Sequence, residues 1–225
     1  ADAEALVRIA LEAFGDLHVL VNNAGILRDR LLANMEESEW DAVIRVHLKG
    51  HAAPARHAMA YWRERAKAGQ TVRASVVHTT SLAGLVGNFG QANYAAAKLA
   101  VVGLSRTIAI EGQKYGVRSN AVSPSARTRI ETSLQPPPPG VFDTFEPGNV
   151  SPLIAWLATA DCPATGQVFQ AYGNRVEVLQ PSAIAVDVRT EGRWTVEALD
   201  RALKDRMPAL PGLFDFVPEL SPGGN

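Results

Sequence analysis

Four short strand-forming runs, separated by helical segments, constrain the fold of this chain more than any other feature. They cover residues 17–21, 74–79, 116–123 and 166–171. The first run, Leu-His-Val-Leu-Val, is apolar almost throughout, which is typical of a parallel strand covered on both faces. Parallel strands are joined by long crossovers that usually contain a helix. The pattern therefore predicts an α/β protein with a doubly wound parallel sheet.

The segments between these runs are either helical in periodicity or rich in glycine and proline. The first 14 residues place apolar side chains on one helical face, and Gly15 marks the stop. Residues 82–92, with spaced glycines, and residues 135–149, with four consecutive prolines, are predicted loops. The predicted helices cover residues 1–14, 36–65 with Pro54 as a breaking point, 93–113, 151–160 and 191–203.

Length and composition narrow the class of protein. The 225 residues can bury a full core and predict one domain over residues 1–225, with residues 174–225 as a C-terminal extension. A net charge of −1 gives no basic surface of the kind that binds nucleic acid. No apolar run approaches the roughly 18 residues of a membrane helix, and no metal-ligand cluster is seen. The single cysteine, Cys162, agrees with a reducing compartment, so we expect a cytoplasmic protein.

Ser81, Tyr94 and Lys98 are the candidate catalytic residues. Tyr94 and Lys98 are four apart in a predicted helix and so share one face, while Ser81 follows a strand, where open α/β sheets bind ligands. A nearby ammonium favours the phenolate and lowers the tyrosine pKa, and a serine hydroxyl can hold a carbonyl oxygen. Taken alone, the pattern favours a half-buried aromatic beside a solvated lysine, because a tyrosine and a lysine at this spacing are common.

Two further motifs accompany these three residues. Asn22-Asn23-Ala24-Gly25 follows the first strand, and Asn120-Ala121-Val122-Ser123-Pro124 lies in and after the third. Together with Ser81 thirteen residues before Tyr94, their order and spacing resemble the short-chain dehydrogenase/reductase family over residues 1–173. The resemblance implies a Rossmann-like sheet, an oxidoreductase that uses NAD or NADP, and a small-molecule alcohol or ketone substrate.

The resemblance also assigns roles to the site residues. In the family, the tyrosine transfers the substrate proton, the lysine lowers its pKa and holds the nicotinamide ribose, and the serine steadies the substrate oxygen. The residues implied to contact the cofactor are Asn22, Asn23, Ala24, Gly25, Tyr94, Lys98, Pro124, Ser125 and Thr128. Ser125 replaces a family glycine, which restricts the backbone there.

His47 is the fourth implied catalytic residue. It stands where many family members have an asparagine that anchors a water in a proton relay. Histidine can also donate and accept hydrogen bonds, so it can serve the same relay. A packed helix histidine explains the residue equally well.

Within the family, residues 25–30 and 87–94 are similar to the (3R)-hydroxyacyl-CoA dehydrogenase domain of peroxisomal multifunctional enzyme type 2 and its bacterial relatives. This similarity implies a 3-hydroxyacyl-CoA substrate, with a bulky sterol-like alcohol as the alternative. It also implies a mobile substrate lid at residues 135–149. Small residues along the predicted helix 93–113 imply a homodimer or homotetramer, although packing on the sheet explains them too.

The family pattern begins with a part that this sequence does not show. No G-x-x-x-G-x-G phosphate turn precedes Asn22. We therefore expect about three further strands, together with this glycine-rich turn, upstream of Ala1. The sheet is then incomplete at its N-terminal side, and the residue that distinguishes NAD from NADP lies in the absent part; NAD is slightly favoured. The alternative function is a catalytically silent structural subunit.

Overall fold

The computed structural model describes residues 2–130, 134–179 and 184–207, and residues 1–179 and 180–225 form two compact units. No helix in the described part of the chain is both long and apolar enough to cross a membrane. The strands are β1 Val19–Asn22, β2 Ala74–Thr79, β3 Val117–Pro124, β4 Val168–Tyr172 and β5 Arg175–Leu179. The helices are α1 Asp2–Phe14, α2 Glu37–Ile44, α3 Gly50–Lys67, α4 Leu82–Val86, α5 Ala92–Gly112, α6 Ser151–Ala158 and α7 Val196–Leu203.

The five strands form one sheet in the order β1-β2-β3-β4-β5. The first four are parallel, in a register that pairs Val21 with Val77 and Val77 with Asn120. The predicted parallel α/β sheet is therefore confirmed. Among the described strands, β1 pairs only with β2, so its other edge carries no strand.

Strand β5 was not predicted, and it runs antiparallel to β4. Gly173, at φ 52°, and Asn174 make the tight turn between the two strands. A Gly-Asn pair is a known hairpin signal, since glycine adopts positive φ without a steric cost. The sheet therefore continues one strand beyond the four predicted runs.

Both faces of β2 are buried, as a central parallel strand requires. Val76 packs in a cluster with Trp62 of α3 and Ile108 of α5 on one side. Val77 packs with Leu157 of α6 on the other side. The helices therefore cover both faces, and the carboxyl ends of β1, β2 and β3 are held at one edge of the sheet.

Two helical predictions need correction. The stretch 36–65 is interrupted by a π-helical turn at Arg45–Lys49, whereas Pro54 lies inside α3. The loop predicted at residues 82–92 contains the short helix α4, because the Ser81 hydroxyl accepts from the Ala83 amide at 3.2 Å and caps it. Gly87, at φ 85°, ends α4 and begins the loop proper.

Candidate active site

The candidate catalytic residues meet at the carboxyl edge of the parallel strands. Ser81 follows β2, and Tyr94 and Lys98 lie one turn apart on α5. The Thr80 hydroxyl fixes this helix to the strand end by donating to the Lys98 carbonyl at 2.7 Å. A Cβ at Gly84 would come within 2.8 Å of the Lys98 Cβ, so only glycine lets α4 lie this close to α5.

Tyr94 is partly buried, and the Ser81 side chain acts on its pKa as a hydrogen-bonding group. Burial raises the pKa of Tyr94, while the hydrogen bond from Ser81 acts in the opposite direction and the charge of Asp29 adds to the rise. The balance differs from the prediction that Lys98 brings this pKa down. Tyr94 is therefore a phenol at neutral pH.

Lys98 is only 2% exposed and its Nζ donates to the Thr79 carbonyl at 2.7 Å. The same Nζ lies 5.5 Å from the centre of the Tyr94 ring. Burial lowers the pKa of Lys98 to about 8. The lysine is thus a buried charge aimed at the site and not a solvated surface residue.

His47 lies in the π-helical turn and contacts both the tyrosine and the loop after β1. Its Nε2 is 3.0 Å from the Ile26 nitrogen and 2.8 Å from the Ile26 carbonyl oxygen, and its ring meets the Tyr94 ring edge-on at 5.2 Å. Its Nδ1 is buried and has no hydrogen-bond partner among the described residues. Burial, and then the charge of Lys98, lower the pKa of His47 to about 4, so the ring is neutral.

The loop Asn22–Gly25 is held in place by hydrogen bonds to β2 and α3. Asn23 Oδ1 accepts from the Thr79 hydroxyl at 2.9 Å, and the Asn22 amide donates to the His51 carbonyl at 3.3 Å. A Cβ at Gly25 would lie 2.6 Å from His47 Cε1, so glycine is needed where the loop passes the histidine.

The segment after β3 brings Pro124, Ser125 and Thr128 to the same edge. The Ser125 amide donates to the Ala171 carbonyl at 2.9 Å, and the Thr128 hydroxyl accepts from the Ile130 amide at 3.2 Å. No non-glycine residue in the described ranges has a positive φ. Serine is therefore accommodated at position 125 without left-handed backbone.

Sequence reasoning missed three buried polar residues beside this site. His51 and His78 stack on each other behind Asn22, and Asn93 accepts from the Tyr94 amide at 2.7 Å while donating to the Arg28 carbonyl at 3.0 Å. The histidines could have been noticed as polar residues inside apolar patterns. Asn93 thereby ties the loop after β1 to the first turn of α5.

The residues present fit a dinucleotide. The Lys98 ammonium has three N–H groups and gives one to Thr79, so two remain for ribose hydroxyls. The loop Asn22–Gly25 and the segment 124–128 flank it from the two neighbouring strands. In the ranges that the structure covers, no group of three or more histidine, cysteine or acidic residues is arranged to hold a metal ion.

Comparison with known proteins agrees with this geometry. A family model described as short chain dehydrogenase matches residues 1–136. The hydroxyacyl-CoA dehydrogenase ChsB1 of Mycobacterium tuberculosis is 41% identical over 213 residues, which cover 91% of this chain and 67% of that protein. Peroxisomal multifunctional enzyme type 2 of Mus musculus is 41% identical over 168 residues, which cover 74% of this chain and 22% of that protein.

A crystal structure of a short chain dehydrogenase from Mycobacterium avium is similar over 93% of this chain and 71% of that one. The TM-score is 0.85 and the sequence identity is 44%. The chain thus spans about two thirds of its mycobacterial relatives and less than a quarter of the peroxisomal one.

Proposed function

This chain belongs to the short-chain dehydrogenase family, and we propose that it is an oxidoreductase that moves a hydride between NAD or NADP and a secondary alcohol or ketone. One observation carries the proposal. Ser81 follows β2 and lowers the pKa of Tyr94 as a hydrogen-bonding group, and the buried Lys98 ammonium lies 5.5 Å from the tyrosine ring at the same edge of the sheet. These are an acid–base group, a substrate-oxygen donor and a positive charge in one place.

The protein groups divide the work as follows. The dinucleotide, when bound, supplies or accepts the hydride. Tyr94 Oη gives a proton to the substrate oxygen in reduction and takes it back in oxidation. Ser81 donates to that oxygen as charge develops on it, and the Lys98 ammonium stabilises the phenolate that reduction leaves behind.

We propose that His47 takes part in returning the proton to Tyr94. Its neutral ring packs on the tyrosine, and its Nδ1 has no partner among the described residues. A buried nitrogen of this kind is costly unless a water or a proton donor meets it. A packing role explains the ring contact but leaves Nδ1 unused.

The proposed substrate is a 3-hydroxyacyl-CoA. Support comes from the names of two relatives, one a hydroxyacyl-CoA dehydrogenase and the other a peroxisomal multifunctional enzyme, at 41% identity each. Residues 135–149 are the proposed lid over this substrate. A bulky sterol-like alcohol is the second candidate, and a panel of both substrate types with each dinucleotide separates the two.

A homodimer or homotetramer is also proposed, through α5. Ala96, Leu99, Gly103, Thr107 and Ile110 are exposed along one stripe of this helix. Two leucine- and isoleucine-bearing faces of this kind can bury each other around the small Gly103. Light scattering after size-exclusion chromatography measures the state, and Ile110→Glu is expected to yield monomers.

Calorimetric titration of the 225-residue chain with NAD and with NADP tests the function. The proposal requires micromolar binding of one of them and turnover of a 3-hydroxyacyl-CoA. A folded chain that binds neither at millimolar concentration supports the alternative of a silent structural subunit.

A further inference from the structure

Arg127 lies between Ser125 and Thr128, in the segment that the proposed function assigns to the dinucleotide. Its guanidinium forms a two-pronged ion pair with Asp143, in which Nη1 is 3.2 Å from Oδ1 and Nη2 meets Oδ2. Nη1 also donates to the Gln135 carbonyl at 3.4 Å, and the backbone amide donates to the Phe145 carbonyl at 2.7 Å. Arg127 therefore contacts the segment 135–149 both at its first residue, Gln135, and at Asp143 and Phe145.

The turn around Asp143 is itself well tied. Asp143 Oδ1 accepts from the Phe145 amide at 3.1 Å, and the Asp143 carbonyl accepts from the Asn149 side chain at 2.8 Å. On its far side, a Cβ at Gly173 would be 2.8 Å from the Thr144 methyl, so the turn packs closely on the β4–β5 hairpin. A displacement of Asp143 would therefore move the residues of this turn with it.

This contact differs from an ordinary surface ion pair. Exposed pairs contribute little, because water screens them and two long side chains must be held still. Here the side chains of Arg127 and Asp143 are only 25% and 23% exposed, and the pairing is of the two-pronged kind that fixes direction. Both Nη atoms of Arg127 already bond to Asp143, and Nη1 also bonds to the Gln135 carbonyl, so the guanidinium is poorly suited to bind a phosphate directly.

We propose that Arg127 is a positioning residue that couples the dinucleotide segment 124–128 to the substrate lid 135–149. This inference rests on the proposed function. When the dinucleotide orders residues 124–128, the ion pair with Asp143 orders the lid with them, so the substrate meets a closed site only after the dinucleotide is present. The two binding events are then positively coupled.

Charge exchange tests the coupling. The variants are Arg127→Asp, Asp143→Arg, the double exchange, and the conservative Arg127→Lys, which keeps the charge but loses the fork. Arg73→Asp is the matched control, because the Arg73–Asp161 pair is 62% and 89% exposed and lies away from the lid. Hydrogen exchange of the amides at residues 140–146, 148 and 149 is measured with and without dinucleotide; Pro136 to Pro139 and Pro147 carry no amide hydrogen.

Each single charge reversal is expected to speed exchange of residues 140–149 about tenfold, and the double exchange to restore most of it. The substrate KM is expected to rise about tenfold in each single reversal, by a larger factor than kcat falls. Dinucleotide protection of residues 140–149 is expected in the wild type and in the control and to be absent in the single variants. Arg127→Lys is expected to fall between, and it replaces the reversal if that variant does not fold.

Wild-type exchange in both single variants, or no recovery in the double exchange, would overturn the proposal. So would an equal effect of Arg73→Asp. The exchange rates without dinucleotide do not depend on catalysis. If the wild type binds no dinucleotide, the proposed function fails, whereas the tie between Arg127 and the lid is still decided by those rates.

Discussion

The Nδ1 atoms of His51 and His78 lie 3.4 Å apart, and the two rings stack at a centroid distance of 5.4 Å inside the core. Asn22 bonds to this pair through its side-chain amide, which is 3.4 Å from His78 Nδ1. The Nε2 atom of His78 is buried and has no hydrogen-bond partner in the described part of the chain. The pair therefore supports the loop after β1 only while both rings are neutral.

This arrangement predicts that the fold is sensitive to mild acid. Burial, and then the charges of His78 and Lys98, lower the pKa of His51 to about 3. Burial, and then the charge of Lys98, lower the pKa of His78 to about 4. The pKa of histidine in an unfolded chain is about 6.5. Below that pH these histidines are protonated in the unfolded chain but stay neutral in the folded chain. Stability is full above about pH 7 and falls as the pH drops toward 4.

Each of the buried histidines 47, 51 and 78 contributes a slope of up to about 1.4 kcal/mol per pH unit in this window. Urea unfolding at a series of pH values measures it. His78→Leu is expected to flatten the slope by about one histidine. A stability that is flat between pH 7 and 5 would show that the three rings are not held neutral.

Removal of the Tyr94 hydroxyl is expected to abolish most of the turnover. Tyr94→Phe keeps the ring that packs on His47 and loses the proton donor, so kcat should fall by roughly two to four powers of ten. Calorimetry should give a dinucleotide Kd within about threefold of the wild type, since the ring and Lys98 remain. Tyr115→Phe, at the end of α5, is the control; normal turnover in Tyr94→Phe would remove Tyr94 from the mechanism.

Lys98→Met is expected to make the protein more stable and less active. Burial depresses the pKa of Lys98 to about 8, so at pH 7 the folded chain holds a charge that it disfavours. That penalty is lost only as the pH rises through the folded and then the unfolded pKa. Methionine avoids it but leaves the Thr79 carbonyl without its donor, so the net gain is about 1 to 2 kcal/mol.

The activity of Lys98→Met is expected to fall at least about a hundredfold, because the phenolate loses its positive neighbour. The same variant should raise the pKa of His47 and His78, since the charge of Lys98 lowers both. Chemical unfolding and steady-state rates measured on one preparation check both effects. A variant that is both less stable and inactive would indicate that Lys98 mainly supports the fold.

The parts of this structure that local patterns encode were predictable. The four parallel strands follow from short strand-forming runs, and the shared face of Tyr94 and Lys98 follows from their spacing on a helix. Strand β5 was also encoded, in the alternation Arg-Val-Glu-Val-Leu after Gly173-Asn174, but its signal was overlooked.

Contacts between residues distant in the chain were not predictable. His51 and His78 are 27 positions apart, and nothing in either neighbourhood indicates that they meet. The direction of the Tyr94 pKa was missed for the same reason: burial decides it, and burial depends on how several elements pack. The π-helical turn that carries His47 has no sequence signature comparable to a cap or a turn.

A methyl group at position 25 is expected to separate the two roles considered for His47. In Gly25→Ala the new Cβ would lie 2.6 Å from His47 Cε1, so the ring must move away from Ile26 and Tyr94. Both stability and turnover should fall, by about 1 to 3 kcal/mol and about tenfold. The double variant Gly25→Ala/His47→Ala removes the clash, so urea unfolding should show part of the lost stability restored.

Turnover in that double variant decides between a packing histidine and a relay histidine. If His47 only packs, relief of the clash restores the rate along with the fold. If Nδ1 takes part in proton transfer, the turnover rate of the double variant stays low. In a chain that keeps Gly25, His47→Asn is then expected to retain more activity than His47→Ala, because an amide can still donate and accept hydrogen bonds. We expect the second result, since the neutral ring of His47 lies against Tyr94 and can both donate and accept a hydrogen bond.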